Sequence, residues 1–424
     1  MATTALRREV EIVSPTRKLV MGLLFLAAGF LVWWLFARAV DPEAVTKFGM
    51  TPGGARSTIP DMQLPSQLTL NILTILTLGV GALQLILPHG FGKRTNLALG
   101  VVSALFIFAF LTWAAAGKSL NLAGLMNTTL SKAVPLTLGA LAGILCERAG
   151  VVNIAIEGMM LMGAMVGALV GSVSGSLWIG LAAAVFAGAL LGLVHAVLSV
   201  TYKTNQIVSG TAINIFSTGI TSYISAKFMQ TNQALNNPGT FPPLEIPLLS
   251  DIPFFGPILF HNNMFVYSMF IFMTLLHIGL FFTRWGLRMR AVGEHPRAAD
   301  TLGINVFRTR YMAVILGGMM AGFAGGYFTL GSVGRFDEVM TAGRGFISLA
   351  AMIFGNYMPF GAFGAGLLFG FADSLASRIA ILGLRIPSQF LLMAPYIATM
   401  VVLAGVVGRA QIPAADGVPY EKEG

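Results

Sequence analysis

Residues 284–310 read RWGLRMRAVGEHPRAADTLGINVFRTR, a strongly charged segment in a chain that is otherwise almost continuously apolar. On either side lie Met264 to Thr283 and Tyr311 to Leu330, each long enough to cross a bilayer, so the charged segment is expected to be a folded loop outside the lipid. A loop this rich in arginine belongs on the cytoplasmic side. Its length and its Gly, Pro and Ala content exceed what a hairpin needs, which points to something in the cytoplasm docking there.

The rest of the composition agrees with that frame. Of 424 residues, 56% are hydrophobic and only 10% charged, against about 25% charged in a soluble domain. The expected fold is all-α, a polytopic bundle of about ten to twelve transmembrane helices. Glycine is abundant, and Gly163, Gly167 and Gly171, like Gly188 and Gly192, recur every fourth residue, a pattern for close helix packing rather than chemistry. The single cysteine, Cys146, excludes an internal disulfide and a thiolate metal cluster. The net charge of +9 is spread over short loops, where the orientation rule accounts for it without nucleic acid. The basic residues Arg7, Arg8, Arg17 and Lys18 precede an apolar run, 19–37, that lacks a small-residue cleavage pattern and reads as a retained first helix.

Apolar runs place candidate spans at 19–37, 67–87, 97–116, 130–146, 154–172, 177–200, 207–226, 264–283, 311–331, 345–357, 361–382 and 390–408, with 345–357 short enough to be re-entrant. Placing both termini in the cytoplasm puts most Lys and Arg, including the 284–310 group, on the inside. Residues 38–66 and 227–263 then lie outside. The second carries Pro238, Pro242, Pro243, Pro247, Pro253 and Pro257 and cannot be one regular helix. The organisation read from this is a cytoplasmic segment 1–18, a three-helix extension 19–123, a core 124–408 with the external loop 227–263 and the cytoplasmic loop 284–310, and a cytoplasmic tail 409–424.

Chemistry-bearing patterns are few. The nearest approach to a phosphate-cradling GxxxxGK[ST] loop is Gly117-Lys118-Ser119, but Thr112 stands where the first glycine is needed and a span precedes it, so any nucleotide is hydrolysed by another polypeptide. His89, His195, His261, His277 and His295 show no metal-binding spacing, and His195 and His277 read as hydrogen-bonded packing residues inside spans. In the seventh span, Thr211, Asn214, Thr218, Thr221 and Ser225 fall on one helix face. That stripe faces either a water-filled path or a neighbouring helix, because Ser and Thr can also bond to their own helix carbonyls. Among Glu147, Arg148, Glu157, Arg344, Asp373 and Arg378, the ionisable residues near the membrane, Glu157 suits a helix N-terminus. Asp373 with Ser374 and Ser377 offers hydrogen bonds to a polar solute, or else an ion pair to Arg344 or Arg378 that locks two helices.

Three motifs, residues 146–161 CERAGVVNIAIEGMML, 205–214 NQIVSGTAIN and 286–304 GLRMRAVGEHPRAADTLGI, resemble the permease subunits of ABC importers of the branched-chain amino acid and simple-sugar group. The similarity covers roughly residues 124–408, and within the group the chain is most similar to nucleoside-type permeases. The resemblance implies a substrate path, for which Asn153, Thr211, Asn214, Thr218, Thr221, Asp373, Ser374 and Ser377 are the candidates. It also implies a coupling helix in the charged loop, carried by Arg290, Gly293, Glu294, Pro296, Arg297, Ala298, Ala299, Asp300 and Gly303. Pro296 suits the first turn of such a helix and Gly303 its end, with Ala298 and Ala299 as a small-residue face. The partners implied are a second permease subunit, a cytoplasmic ATP-binding subunit that holds ATP and Mg, and an external substrate-binding lipoprotein; no cofactor is expected on this chain and no enzyme activity of its own. A nucleoside, uncharged with a flat base, suits an inventory of Asn, Ser, Thr and aromatic residues, and a simple sugar such as ribose suits nearly the same one. A secondary transporter would show several embedded acids or repeated halves, and an intramembrane enzyme a nucleophile and base.

Overall fold

Apolar length sets the main elements of the computed structural model, which describes residues 15–53, 59–383, 387, 389, 390, 392, 393 and 411–422. The expected span 390–408, together with Arg7, Arg8 and Arg409, falls outside the described residues except at 390, 392 and 393. Nine helices among the described residues are long and apolar enough to cross a bilayer. The chain is a polytopic helical membrane protein.

Two compact units divide it. The first, residues 1–124 with 379–385, contains α1 (Pro15–Leu31), α2 (Ser66–Ile86) and α3 (Thr95–Ala114). The segment 38–66, expected as an external loop, is partly ordered as strands: β1 (Val45–Gly49) pairs antiparallel with β2 (Met62–Pro65) and parallel with β3 (Ser119–Asn121). Phe48 anchors this sheet, fully buried against Phe108 with ring centroids 5.6 Å apart.

The second unit, residues 125–378 with 386–424, holds most of α4 (Leu122–Glu147) and then α5 (Ile156–Ser174), α6 (Leu177–Ala196) and α7 (Gln206–Ile224). The proline-rich segment that follows contains only the short helix α8 (Phe255–Leu259) and the paired β4 (Leu244–Glu245) and β5 (His261–Asn262). Next come α9 (Met264–Phe282), α10 (Arg284–Glu294), α11 (Pro296–Thr301), α12 (Val306–Gly326), α13 (Arg344–Phe354) and α14 (Pro359–Leu382). At 11 residues, α13 is about 16 Å long, half of a ~30 Å hydrocarbon core, so it is a short helix and not a span. The seventh expected span forms as α7, but its Ser, Thr and Asn content keeps it out of the apolar nine.

Small residues set the centre of this unit. A Cβ at Gly188 would lie 2.2 Å from the Gly318 carbonyl oxygen, so α6 and α12 approach at backbone distance, as the glycine spacing predicts. Around that contact Met159, Met160, Phe265, Phe323 and Tyr327 form the principal apolar cluster. Phe265 lies at its middle, with Phe323 and Tyr327 rings 4.9 and 5.6 Å away.

Candidate functional site

Residues 148–155, between α4 and α5, leave the helix yet are almost wholly buried, so their backbone groups need partners from the protein. Side chains from α6 and α7 supply them. Gln206 Oε1 accepts from Val152 N at 2.7 Å, and His195 Nε2 lies 3.0 Å from the Val152 carbonyl while its Nδ1 meets Ser209 Oγ at 3.0 Å. Asn214 Nδ2 donates to Ile154 O at 2.9 Å and its Oδ1 accepts from Gly158 N at 2.8 Å. Asn153 is fully buried, its Oδ1 accepting from Ala155 N and its amide facing Cys146 Sγ at 3.3 Å. Both asparagines expected on a solute path bond to the backbone of this break and of the first turn of α5.

The hydroxyl stripe of α7 runs along the seam between its buried and exposed faces. Asn214, Thr221 and Ser225 are buried, whereas Thr211 and Thr218 are exposed. Thr211, Thr218 and Thr221 all donate to the carbonyl four residues earlier, at 2.9, 2.9 and 2.7 Å. Their hydroxyl hydrogens are thus used within the helix.

Glu157 stands on the first turn of α5, as its helix-end reading expects, but its carboxylate serves a different helix. Oε1 accepts from Thr341 Oγ1 and Gly343 N at 2.6 and 2.8 Å, and Oε2 from Gly345 N at 2.6 Å, so it caps the start of α13. The partners are more than 180 residues away in the chain.

Asp373 on α14 pairs with two cations from other helices. Lys132 Nζ lies 3.0 Å from Oδ1 and Arg344 Nη2 lies 3.7 Å from Oδ2. Lys132 also donates to Ser377 Oγ at 3.1 Å and to the Asp373 carbonyl at 3.1 Å. Ser374 is fully buried. The group is not sealed: the Asp373 side chain is 34% exposed and, with Arg344, Leu136 and Phe369, borders a cavity of about 230 Å³. The Arg344 guanidinium sits 5.7 Å over the Phe328 ring. Two cations against one carboxylate leave residual positive charge beside apolar walls, an arrangement that can orient the oxygens of a polar solute. Lys132 was missed by the sequence reading because it lies at the very start of the expected span 130–146, after Thr128, Thr129 and Ser131, where a single lysine reads as a boundary.

In the charged loop, α10 and α11 are two consecutive short helices of 11 and 6 residues. Thr283 Oγ1 accepts from Gly286 N at the start of α10, Pro296 opens α11, and Gly303, at φ +79°, follows its end. Arg290 is held by its Nε to the Leu280 carbonyl at 3.0 Å and stacks 4.9 Å from the Phe281 ring. Gly293 packs so closely that a Cβ would lie 2.3 Å from the Arg148 carbonyl oxygen. Arg297 and Ala298 are exposed and Asp300 is half-buried, but Ala299 is buried among Val292, Val306 and Tyr420. The expected small-residue outer face is therefore Ala298 alone; Ala299 is turned inward because the C-terminal segment packs behind it.

That segment, 411–422, was read only as a tail. Ala415 N donates to the Gly293 carbonyl at 2.9 Å, Ala414 N to Glu294 Oε2 at 3.1 Å, Arg310 Nη1 to the Val418 carbonyl at 2.9 Å, and Lys203 pairs with Glu421 at 2.8 Å. Burial raises the Asp416 carboxyl to about 6, against the opposing pull of its hydrogen bond with Glu147 and of the Arg310 charge. Among the described residues no group of His, Cys, Asp and Glu is placed to hold a metal ion.

Residues 125–408 match the family model described as branched-chain amino acid transport system / permease component. The guanosine ABC transporter permease protein NupQ of Bacillus subtilis is 42% identical over 309 residues, which span 70% of this chain and 96% of that protein. The nucleoside ABC transporter permease protein NupC of Lactococcus lactis is 40% identical over 297 residues, 68% of this chain and 93% of its own. A putative glucose ABC transporter permease protein, TsgC13 of Haloferax volcanii, is 32% identical over 328 residues, 71% of this chain and 98% of its own. No solved structure matches. With the family's region coinciding with the helical core, its broken α4–α5 junction and its α10–α11 loop, this chain belongs to the branched-chain amino acid transport permease family and is a membrane-spanning permease component of an ABC transporter, not its ATP-hydrolysing subunit.

Proposed function

We propose that this chain carries a nucleoside inward across the cell membrane as one of two permease subunits of an ATP-driven importer. The observation that carries the reading is the 42% identity to a guanosine permease across nearly that protein's whole length. The second subunit is a paralogue, a cytoplasmic subunit binds ATP and Mg, and an external lipoprotein delivers the solute. The α10–α11 loop and the 411–422 segment, which touch one another, lie in the cytoplasm with both termini, because the arginines of 284–310 favour that side. The α11 helix meets the ATP-binding subunit through Arg297 and Ala298.

The solute passes beside Lys132, Asp373 and Arg344. Their hydrogen-bonding groups suit ribose hydroxyls and base carbonyls, and Phe369 offers an apolar face. A simple sugar has the same hydroxyls and one relative named for glucose is 32% identical, so sugar is the second reading. Uptake of labelled guanosine, uridine, ribose and glucose by cells expressing the whole importer, with and without its ATP-binding subunit, tests both. Saturable nucleoside uptake that requires the ATP-binding subunit is the expected result. Sugar uptake without nucleoside uptake overturns the substrate, and uptake independent of that subunit overturns ATP coupling.

A further inference from the structure

The 411–422 segment has no regular secondary structure, yet its backbone is pinned at several points along the 284–310 loop and the neighbouring helix ends. Ala415 N is bonded to Gly293, the Val418 carbonyl to Arg310, and Tyr420 is buried against Val292, Ala299 and Val306, its ring 5.5 Å from Phe307. Pinning from behind decides what is presented in front. With its carbonyl held by Arg310, Val418 turns its side chain outward and is 52% exposed. Val418, Pro419 and Glu421 line one wall of a cleft of about 470 Å³ whose other wall is His295, Pro296 and Arg297 of α11.

Apolar side chains, Val418 and Pro419, rimmed by the charged Glu294, Arg297 and Glu421 have the makeup of a protein interface, an apolar centre with a polar rim. We infer that residues 412–419 form a second docking element for the ATP-binding subunit, continuous with α11, and that the cleft between them receives an apolar side chain of that subunit. This rests on the reading of α11 as the coupling helix. The occupant follows from continuity: a partner seated on the exposed Ala298 of α11 also covers the adjoining wall of the cleft.

Single cysteines at exposed positions test both parts without disturbing the fold, since Cys146 is fully buried and stays silent to a water-soluble maleimide. Val418→Cys and Ala298→Cys variants of the permease pair are labelled with and without the ATP-binding subunit. Strong protection at both positions is expected. Protection at 298 with unchanged labelling at 418 overturns the docking role of the tail and leaves the coupling helix standing. Protection at 418 alone removes α11 as the coupling contact and, with it, a docking element continuous with that helix, and unchanged labelling at both removes the two together. As a functional arm, Val418→Asp should weaken copurification of the ATP-binding subunit about tenfold or more, a loss of 1.4 kcal/mol or greater in affinity. Wild-type copurification of Val418→Asp counts against the inference.

Discussion

The Glu157 carboxylate, on α5, accepts the backbone N–H of Gly345, at the start of α13, at 2.6 Å. A Cβ at 345 would lie 2.5 Å from the Glu157 Cα, so only glycine allows this approach. A helix too short to span is thereby fixed at its first turn by a residue far away in the chain.

Replacing Glu157 with Ala leaves the donors on Thr341, Gly343 and Gly345 without their acceptor. Each buried, unpaired donor costs about 1–3 kcal/mol, so Glu157→Ala should lower the thermal unfolding temperature more than any single surface change. Glu157→Gln, which keeps one acceptor oxygen, should fall between. Gly345→Ala should also destabilise, by about 1–3 kcal/mol of overpacking. Unfolding temperatures equal to wild type would remove the cap from the account.

Asp373 is partly exposed, so its pairing with Lys132 and Arg344 adds only about 0–1 kcal/mol to stability. The effect of Asp373→Asn or Lys132→Met should accordingly appear in uptake and hardly in the unfolding temperature. A fall of about tenfold in uptake, corresponding to ~1.4 kcal/mol in the transport step, is expected. If the two variants unfold early but transport normally per folded molecule, the group is a structural lock and nothing more.

The two alanines of α11 should separate by mechanism. Ala299→Trp overfills the pocket made by Val292, Val306 and Tyr420 and should cost about 1–3 kcal/mol or more in stability. Ala298→Trp touches no such pocket, and should leave stability intact while reducing ATP-binding-subunit association and uptake. Equal behaviour of the two variants in thermal unfolding and in copurification argues against this division.

Asp416 gives the tail a pH dependence of predictable sign. Its carboxyl is raised from 3.8 to about 6 by burial, so the folded segment favours the protonated acid. The stability this contributes is complete below the unfolded value of 3.8 and is lost as pH rises through about 6, with an upper bound of about 3 kcal/mol. Facing it are Glu147 from α4, by hydrogen bond, and Arg310 from α12. Resistance of the 411–422 segment to limited proteolysis should therefore fall between about pH 4 and 6 and level off above. Asp416→Asn should flatten the profile; a slope that survives the substitution points to another group.

Local quantities carried most of the fold. Apolar length located the nine helices long enough to span among the described residues, Pro296 and Gly303 bracketed α11, and the glycine spacing of α6 marked its close contact with α12. The motifs also led to the family. Each depends on neighbours within a few turns, which the linear chain displays.

Which face of each element is buried depends on what comes to lie against it, and there the tertiary structure decided. Thr211 and Asn214 share a stripe by periodicity, yet the α4–α5 backbone takes Asn214 inward and leaves Thr211 exposed. Ala298 and Ala299 are equivalent in sequence until Tyr420, more than a hundred residues on, closes over one of them. Lys132 gains meaning only when α14 brings Asp373 within 3.0 Å. Burial and pairing are properties of two surfaces at once, so a one-dimensional pattern supplies the stripe, the alanine and the lysine but not the partner that assigns each its role.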